Sequence, residues 1–501
     1  MQKRYIIIWF TGVIALLTSC HKFLDQEPNS EATDQTTWKS DGDANASVAA
    51  CYSLIRSAFN ASITFYSYGD LASDEFSDVL GGDMAYKDIQ DMNWAVAIPA
   101  ANNWDPRLKV RLFTNFYTGI AQSNRCLHFI SNMSASLFNG NSPAEQQARK
   151  NHLLGEAYFT RAFNYFYIAR VWGDAPLVTE YYADVTSAPA LARSPQSQLL
   201  NQSIADLDQA RQFLNWRDLS SADQVVRADK GAVFALMAHI YAWQGKYDSC
   251  NMACDSVIGS GTYSLVDGAS YMDIYKGQSL ESIFEISQNS LSESMRATDV
   301  YSLTGVLLTP PYVNNNLSSP WWQINTGLFS YLYNDTNDVR LRKAFVVSSG
   351  GAVECIKYSN IQNINSNTAY QVSMNNILVF RLADIELLKA EALAARSAPD
   401  YGGALALVNS IRQRAGTTPL TGLTGNDLLY AISDERGREL FLEGHRFYDL
   451  VRQEKLTGDP QFPYMSTGEF QAGKYYWPID PSLFLIDPKL TQTDFWKGRI
   501  R

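Results

Sequence analysis

Glu435, Glu439, Glu443 and Asp449 are the best acid/base candidates in the chain, and they alternate with Arg436, Arg438, Arg446 and Arg452 through Ile432–Arg452. A general acid at neutral pH needs a raised pKa, and neighbouring arginines lower it. At helical spacing the two sets would form i, i+4 ion pairs and ties to neighbouring helices, which makes the stretch structural. There is no H-E-x-x-H, no G-x-S-x-G and no Walker loop. His152, His239 and His445 are scattered over helical stretches and read as core or surface residues.

A second chemistry lies in the aromatic side chains, 13% of the sequence with 28 Tyr and 11 Trp. Sugar rings offer apolar C–H faces that lie flat on indole or phenol, and their hydroxyls need amides, carboxylates or guanidinium groups. Two loops mix these residue types: Asp91 to Arg107, with Trp94, Asn102, Asn103 and Trp104, and Pro311 to Gln323, with Tyr312, three consecutive asparagines, Trp321 and Trp322. We expect Trp94, Trp104 and Trp321 to contact a ligand first, seconded by Tyr312, Asn102 and Arg107. One of the adjacent Trp321 and Trp322 should point inward. Any single Trp could instead anchor its loop to the frame.

The frame that would carry these loops is helical. Asn151–Leu177 repeats apolar residues at three- and four-residue steps on one face and carries Phe159, Phe163, Phe166 and Tyr167 on the other. A helix apolar nearly all round needs covering nearly all round. Gly173 is placed to end it and Pro176 to prevent its restart. Lys230–Gln244 followed by Gly245 and Tyr247, and Arg381–Arg396 followed by Tyr401 and Gly402, are two matching helical hairpins. Aligning Tyr247 with Tyr401 sets Cys250 opposite Ala404 and Cys254 opposite Val408, small positions of a tetratricopeptide-like second helix. Asn151–Leu177 with Ser197–Leu214 makes a looser hairpin, and Phe113–Met133 is a partner helix. The fold class expected is mainly α: a tetratricopeptide-like scaffold at about 30–60, 110–260 and 380–455, with loop-rich insertions and a few short strands at about 60–110 and 260–380.

The N-terminus is an address. Lys3 and Arg4 precede an apolar run, Tyr5–Leu17, too short to cross a bilayer, and Leu17-Thr18-Ser19-Cys20 looks like a lipobox. Residues 1–19 are expected to be removed and Cys20 lipidated, leaving one domain over 20–501. The full chain carries a net charge of −10, and losing Lys3 and Arg4 takes it to −12. That acidity argues against nucleic acid. The five remaining cysteines are an odd set that specifies no disulfide framework, and Cys250 and Cys254 have no further ligand at metal spacing. No cofactor is implied; a structural calcium ion stays open.

Several ordered motifs carry a resemblance. Phe23-Leu24-Asp25 with Pro28, Gly69-Asp70-Leu71 leading to Asp74-Glu75, the Leu154–Leu177 helix closing on Trp172-Gly173-Asp174, Ile432–Arg452, and Trp477-Pro478-Ile479-Asp480 with Asp487-Pro488, Leu490 and Gln492 are together similar to the SusD/RagB family of nutrient-capturing lipoproteins. Gly437 stands where the family usually has a basic residue, and Thr493–Trp496 replaces its usual N-P-G-Y. The resemblance implies a non-enzymatic glycan-binding protein anchored in the outer membrane and facing outwards, with a SusC-like TonB-dependent transporter as partner. It places binding aromatics in the two loops above. A peptide-binding subunit or a lid with little affinity of its own are the alternatives on the same scaffold.

Overall fold

The computed structural model describes residues 37–80, 84–98, 102–183, 188–367 and 369–500. The leader and Cys20 lie outside them. Ten long helices form the frame: α1 Asp41–Asn60, α2 Thr114–Asn132, α3 Pro143–Trp172, α4 Gln196–Phe213, α5 Lys230–Trp243, α6 Tyr247–Gly259, α7 Leu382–Ala395, α8 Tyr401–Ala415, α9 Gly425–Glu439 and α10 Arg446–Thr457. They alternate in contact as hairpins should: α3 with α2 and α4, α5 with α6, α6 with α7, and α7 with α8. The fold is mainly α with few short strands, as the periodicity requires.

The aromatic helix α3 is longer than its apolar pattern. It begins at Pro143, where Ser142 accepts from the Glu145 N–H and Glu145 accepts from the Asn141 N–H. That reciprocal cap supplies a start signal independent of the hydrophobic face. From Leu153 onward every residue but Tyr158 is buried, wedged among α1, α2 and α4. Gly173 ends it at φ +78°, with its N–H on the Ala169 carbonyl. In the repeated hairpins Cys250, Cys254, Ala404 and Val408 are all fully buried at the helix contacts. Small side chains there let the backbones approach.

The expected helix over Ile432–Arg452 is two helices. α9 stops at Glu439 and α10 starts at Arg446; between them Leu442 and Gly444 take φ +59° and +78°. The break is held from far away in sequence. Both Asp70 carboxylate oxygens accept from the Gly444 N–H at 3.0 and 2.9 Å, and Glu75 accepts from the Leu442 N–H. Asp74 binds Arg446 at 2.7 Å. Gly437, which departs from the resemblance, lies where a Cβ would be 3.0 Å from Arg446 Nη1, so its missing side chain makes room for that guanidinium.

The charged residues of this stretch are buried except Asp434 and Arg438, and most pair with other segments; within the stretch there are i, i+3 pairs, and the expected i, i+4 ladder is absent among the described ion pairs. Arg381, preceding α7, bonds Glu281 at 2.5 Å, Glu439 at 2.7 Å and Glu443 at 2.7 Å. Arg340 takes Glu435 and Glu439 at 2.8 and 3.0 Å, and Lys357 takes Glu443 at 2.8 Å. Burial works to raise the Glu439 carboxyl, but the guanidiniums of Arg414, Arg381 and Arg340 outweigh it and hold it well below the ordinary range.

Candidate functional site

A two-stranded antiparallel ribbon mounts the second aromatic loop. Strand β1, Phe76–Val79, pairs with β2, Trp322–Ile324, in the register Val79 to Trp322 and Phe76 to Ile324, and the Leu80 N–H continues it onto the Trp321 carbonyl at 2.6 Å. Successive side chains of a strand face opposite ways. Trp322 is therefore fully buried, edge-on against Phe76 and Tyr86 with ring centres 5.4 Å apart in both cases, and Trp321 is left half-buried on the other side. The Trp321 N–H on the Val306 carbonyl, 2.9 Å, fixes its backbone. Tyr312 is also half-buried; its N–H donates to the Thr309 carbonyl at 3.0 Å, and Thr309 is tied to Glu354. Asn315 Nδ2 closes this loop on the Leu308 carbonyl at 2.8 Å, with Asn314 and Asn316 exposed beside it.

The first loop divides differently from the expectation. Trp104 is 71% exposed, with the Lys109 ammonium 5.6 Å from its ring centre, and Asn102 is exposed, its amide 3.4 Å from Asp105. Trp94 is buried, packed 5.4 Å from Trp477, so it anchors the loop and presents no face to a ligand. Arg107 is buried as well, held by Asp105 at 2.6 Å and Asp88 at 2.7 Å. Hydrogen bonds to Asp105, then the charge of the two carboxylates, raise its pKa above the usual value. Trp94 is covered by Trp477 from the far end of the chain, whereas Arg107 is held by Asp105 in its own loop and by Asp88 of the preceding helix. Arg107 still matters, because its bond to Asp88 ties the Trp104 corner to the Met84–Gln90 helix, which packs on β1. Trp104, Trp321 and Tyr312 are thus mounted on one connected unit.

Sequence reasoning missed Tyr370, 58% exposed with the Arg296 guanidinium 5.9 Å from its ring. The adjacent Gln371 accepts from the Asn314 N–H at 2.6 Å, which sets this aromatic next to the Tyr312 loop. Its Asn- and Ser-rich surroundings are the compositional signal that could have found it. Leu80 and Met84, 43% and 64% exposed, add apolar surface at the head of the ribbon.

A second assembly that the sequence scatters is His239, Asp384 and His445, all buried, with ligand-capable atoms within 4.8 Å of one another. His239 Nε2 lies 2.7 Å from Asp384, whose other oxygen accepts from Arg436 at 2.9 Å. Two ligands of a tetrahedral ion with bonds near 2.0–2.1 Å stand about 3.3 Å apart, so this spacing is a hydrogen bond that clamps α5 to α7. Burial first, then the charges of His239 and Arg436, outweigh the attraction of Asp384 and Asp449 and lower His445 from 6.5 to about 4. A depressed imidazole contributes fully above its unfolded pKa, and that contribution is lost as pH falls from about 6.5 through about 4. We expect urea unfolding of wild type and His445→Gln to converge by about 2–3 kcal/mol across this window. A constant difference between them would contradict the assignment.

A model described as the SusD family matches residues 348–496, and one described as starch-binding associating with outer membrane matches 22–242. The chain belongs to the SusD/RagB family. SusD-like protein P38 of Formosa agariphila is 26% identical over 98% of this chain and 99% of its own. A SusD homolog from Bacteroides thetaiotaomicron superposes with a TM-score of 0.77 at 26% identity, covering 91% of this chain and 98% of that one. A laminarin-binding SusD-like protein superposes with a TM-score of 0.69 at 22% identity, covering 91% and 99%. SusD-like membership carries outer-membrane association with it. No helix among the described residues is long and apolar enough to cross a membrane.

Proposed function

We propose that this SusD-like protein is a non-enzymatic glycan-binding lipoprotein, tethered through Cys20 to the outer membrane and exposed at the cell surface, that captures oligo- or polysaccharide and passes it to a SusC-like TonB-dependent transporter. The observation that carries the reading is the mounting of Trp321. Its indole is half-buried on a ribbon whose next residue, Trp322, is locked in the core, with Tyr312 and exposed asparagines on the same loop. A pre-positioned ring costs little entropy on binding, and its face suits a pyranose. Trp104, Asn102 and Tyr370 extend the polar-aromatic surface. The family's description as starch-binding and the laminarin-binding relative support a glucan or similar neutral glycan.

Catalysis is not part of the reading, because the acid/base candidates are consumed in ion pairs that hold them ionised. A carboxyl held that low cannot deliver a proton at neutral pH.

Affinity electrophoresis of the protein across a panel of polysaccharides tests the proposal. Retardation by one polysaccharide and not by unrelated ones supports it and names the substrate. Uniform mobility across the panel, with binding to oligopeptides in its place, would move this family member to peptide uptake.

A further inference from the structure

We propose that Cys51 and Cys126 are joined by a disulfide when the chain folds outside the cytoplasm. The sulfurs face each other across the α1–α2 contact at 3.9 Å, both side chains fully buried. Ala44, Val48 and Cys51 on α1, and Gly119, Ser123 and Cys126 on α2, make this a contact of small residues. Gln122 Nε2 reaches the Ser47 carbonyl at 2.9 Å across the same seam. A covalent bond needs the sulfurs to close by about 1.9 Å, to a separation near 2.05 Å. The other cysteines are differently placed: Cys250 and Cys254 share one helix, and Cys355 is alone in its strand.

Either thiol can ionise and attack first, and the steps are equivalent; Cys51 stands for the attacking thiolate. It displaces one sulfur of an external disulfide, the oxidant carried by thiol–disulfide oxidoreductases of the cell envelope, and forms a mixed disulfide. Cys126 then attacks the Cys51 sulfur and expels the second oxidant sulfur. The products are one internal disulfide and two oxidant thiols, with both cysteine protons accounted for. Outer-membrane association places the chain where such oxidants act. Because neither sulfur is exposed, the exchange precedes closure of α1 onto α2.

The experiment uses the full chain exported by its own leader. It is denatured in acid, alkylated without reductant, digested and mapped by mass spectrometry. The expected result is a linked Cys51–Cys126 peptide pair as the dominant form, which separates on reduction, with Cys250, Cys254 and Cys355 alkylated. Bridging 75 positions of sequence should also make the melting temperature fall by about 5 °C on reduction of the native protein. Dominant alkylation of Cys51 and Cys126, or a bridge between any other pair, would overturn the assignment.

Discussion

Replacing Arg381 with alanine is expected to remove about 4 kcal/mol of stability, the range for deleting one partner from a buried ion cluster. Its guanidinium is 1% exposed and reaches three carboxylates, Glu281, Glu439 and Glu443, besides the Glu439 carbonyl at 2.7 Å. Without it, Glu281 keeps Arg414, Glu439 keeps Arg414 and Arg340, and Glu443 keeps Lys357, but all three buried carboxylates lose a charged hydrogen-bond donor and a cavity is left between them. The cluster joins the end of α9, the start of α7 and the segment before the Ser282–Ile286 strand, so its loss loosens the junction between frame and insertion. The sign of the pH response follows. Glu435, Glu439 and Glu443 have depressed pKa values, so their contribution is present above about 4.5 and is lost as pH falls through the folded values. In denaturant titration Arg381→Ala should therefore show a large deficit at neutral pH that shrinks in acid. A loss below about 1 kcal/mol at pH 7 would mean that the pairs are not formed in solution.

Gly69→Ala is expected to cost about 3 kcal/mol, the upper range for forcing atoms into a filled site. A Cβ at Gly69 would lie 2.2 Å from the Gly444 carbonyl oxygen and 2.5 Å from its Cα, both backbone atoms with no rotamer to escape into. Gly444 is equally constrained, at φ +78° with its own Cβ position 2.4 Å from Phe65. The contact is the hinge of the clasp in which Asp70 and Glu75 hold the α9–α10 break. The same segment accepts from Asn325, whose backbone N–H bonds the Glu75 carbonyl at 2.7 Å and whose side chain bonds the Asp74 carbonyl. One clasp therefore fixes both the break and the base of the Trp321 ribbon. The check is the urea midpoint of Gly69→Ala beside Gly468→Ala, where a Cβ meets nothing within 4 Å. Equal midpoints would contradict the packing described.

The frame was legible because α3, α5 and α7 carry apolar residues at helical spacing and the hairpin turns repeat. The break after Glu439 was not, because Glu and Arg keep helical spacing straight through Gly444, and its cause lies in Asp70 and Glu75. The loops show the same limit. Trp94 and Trp104 each follow an asparagine in the same loop, yet only Trp94 packs on Trp477. Trp321 and Trp322 could be divided in principle, since adjacent strand residues face opposite ways, but the direction was set by Phe76 and Tyr86. His239 and Asp384 come from α5 and α7 and His445 from the break before α10, and no local pattern announces that they meet. Composition marked the two aromatic loops; partners remote in sequence decided which of their rings stay exposed.

Calorimetry with the polysaccharide that retards the wild type, repeated with Trp321→Ala, tests the central claim most directly. Loss of one stacked ring should weaken binding about 10- to 100-fold with an unchanged unfolding midpoint. Trp104→Ala should give a smaller loss. Wild-type affinity in Trp321→Ala would remove this surface from the binding site and contradict the account.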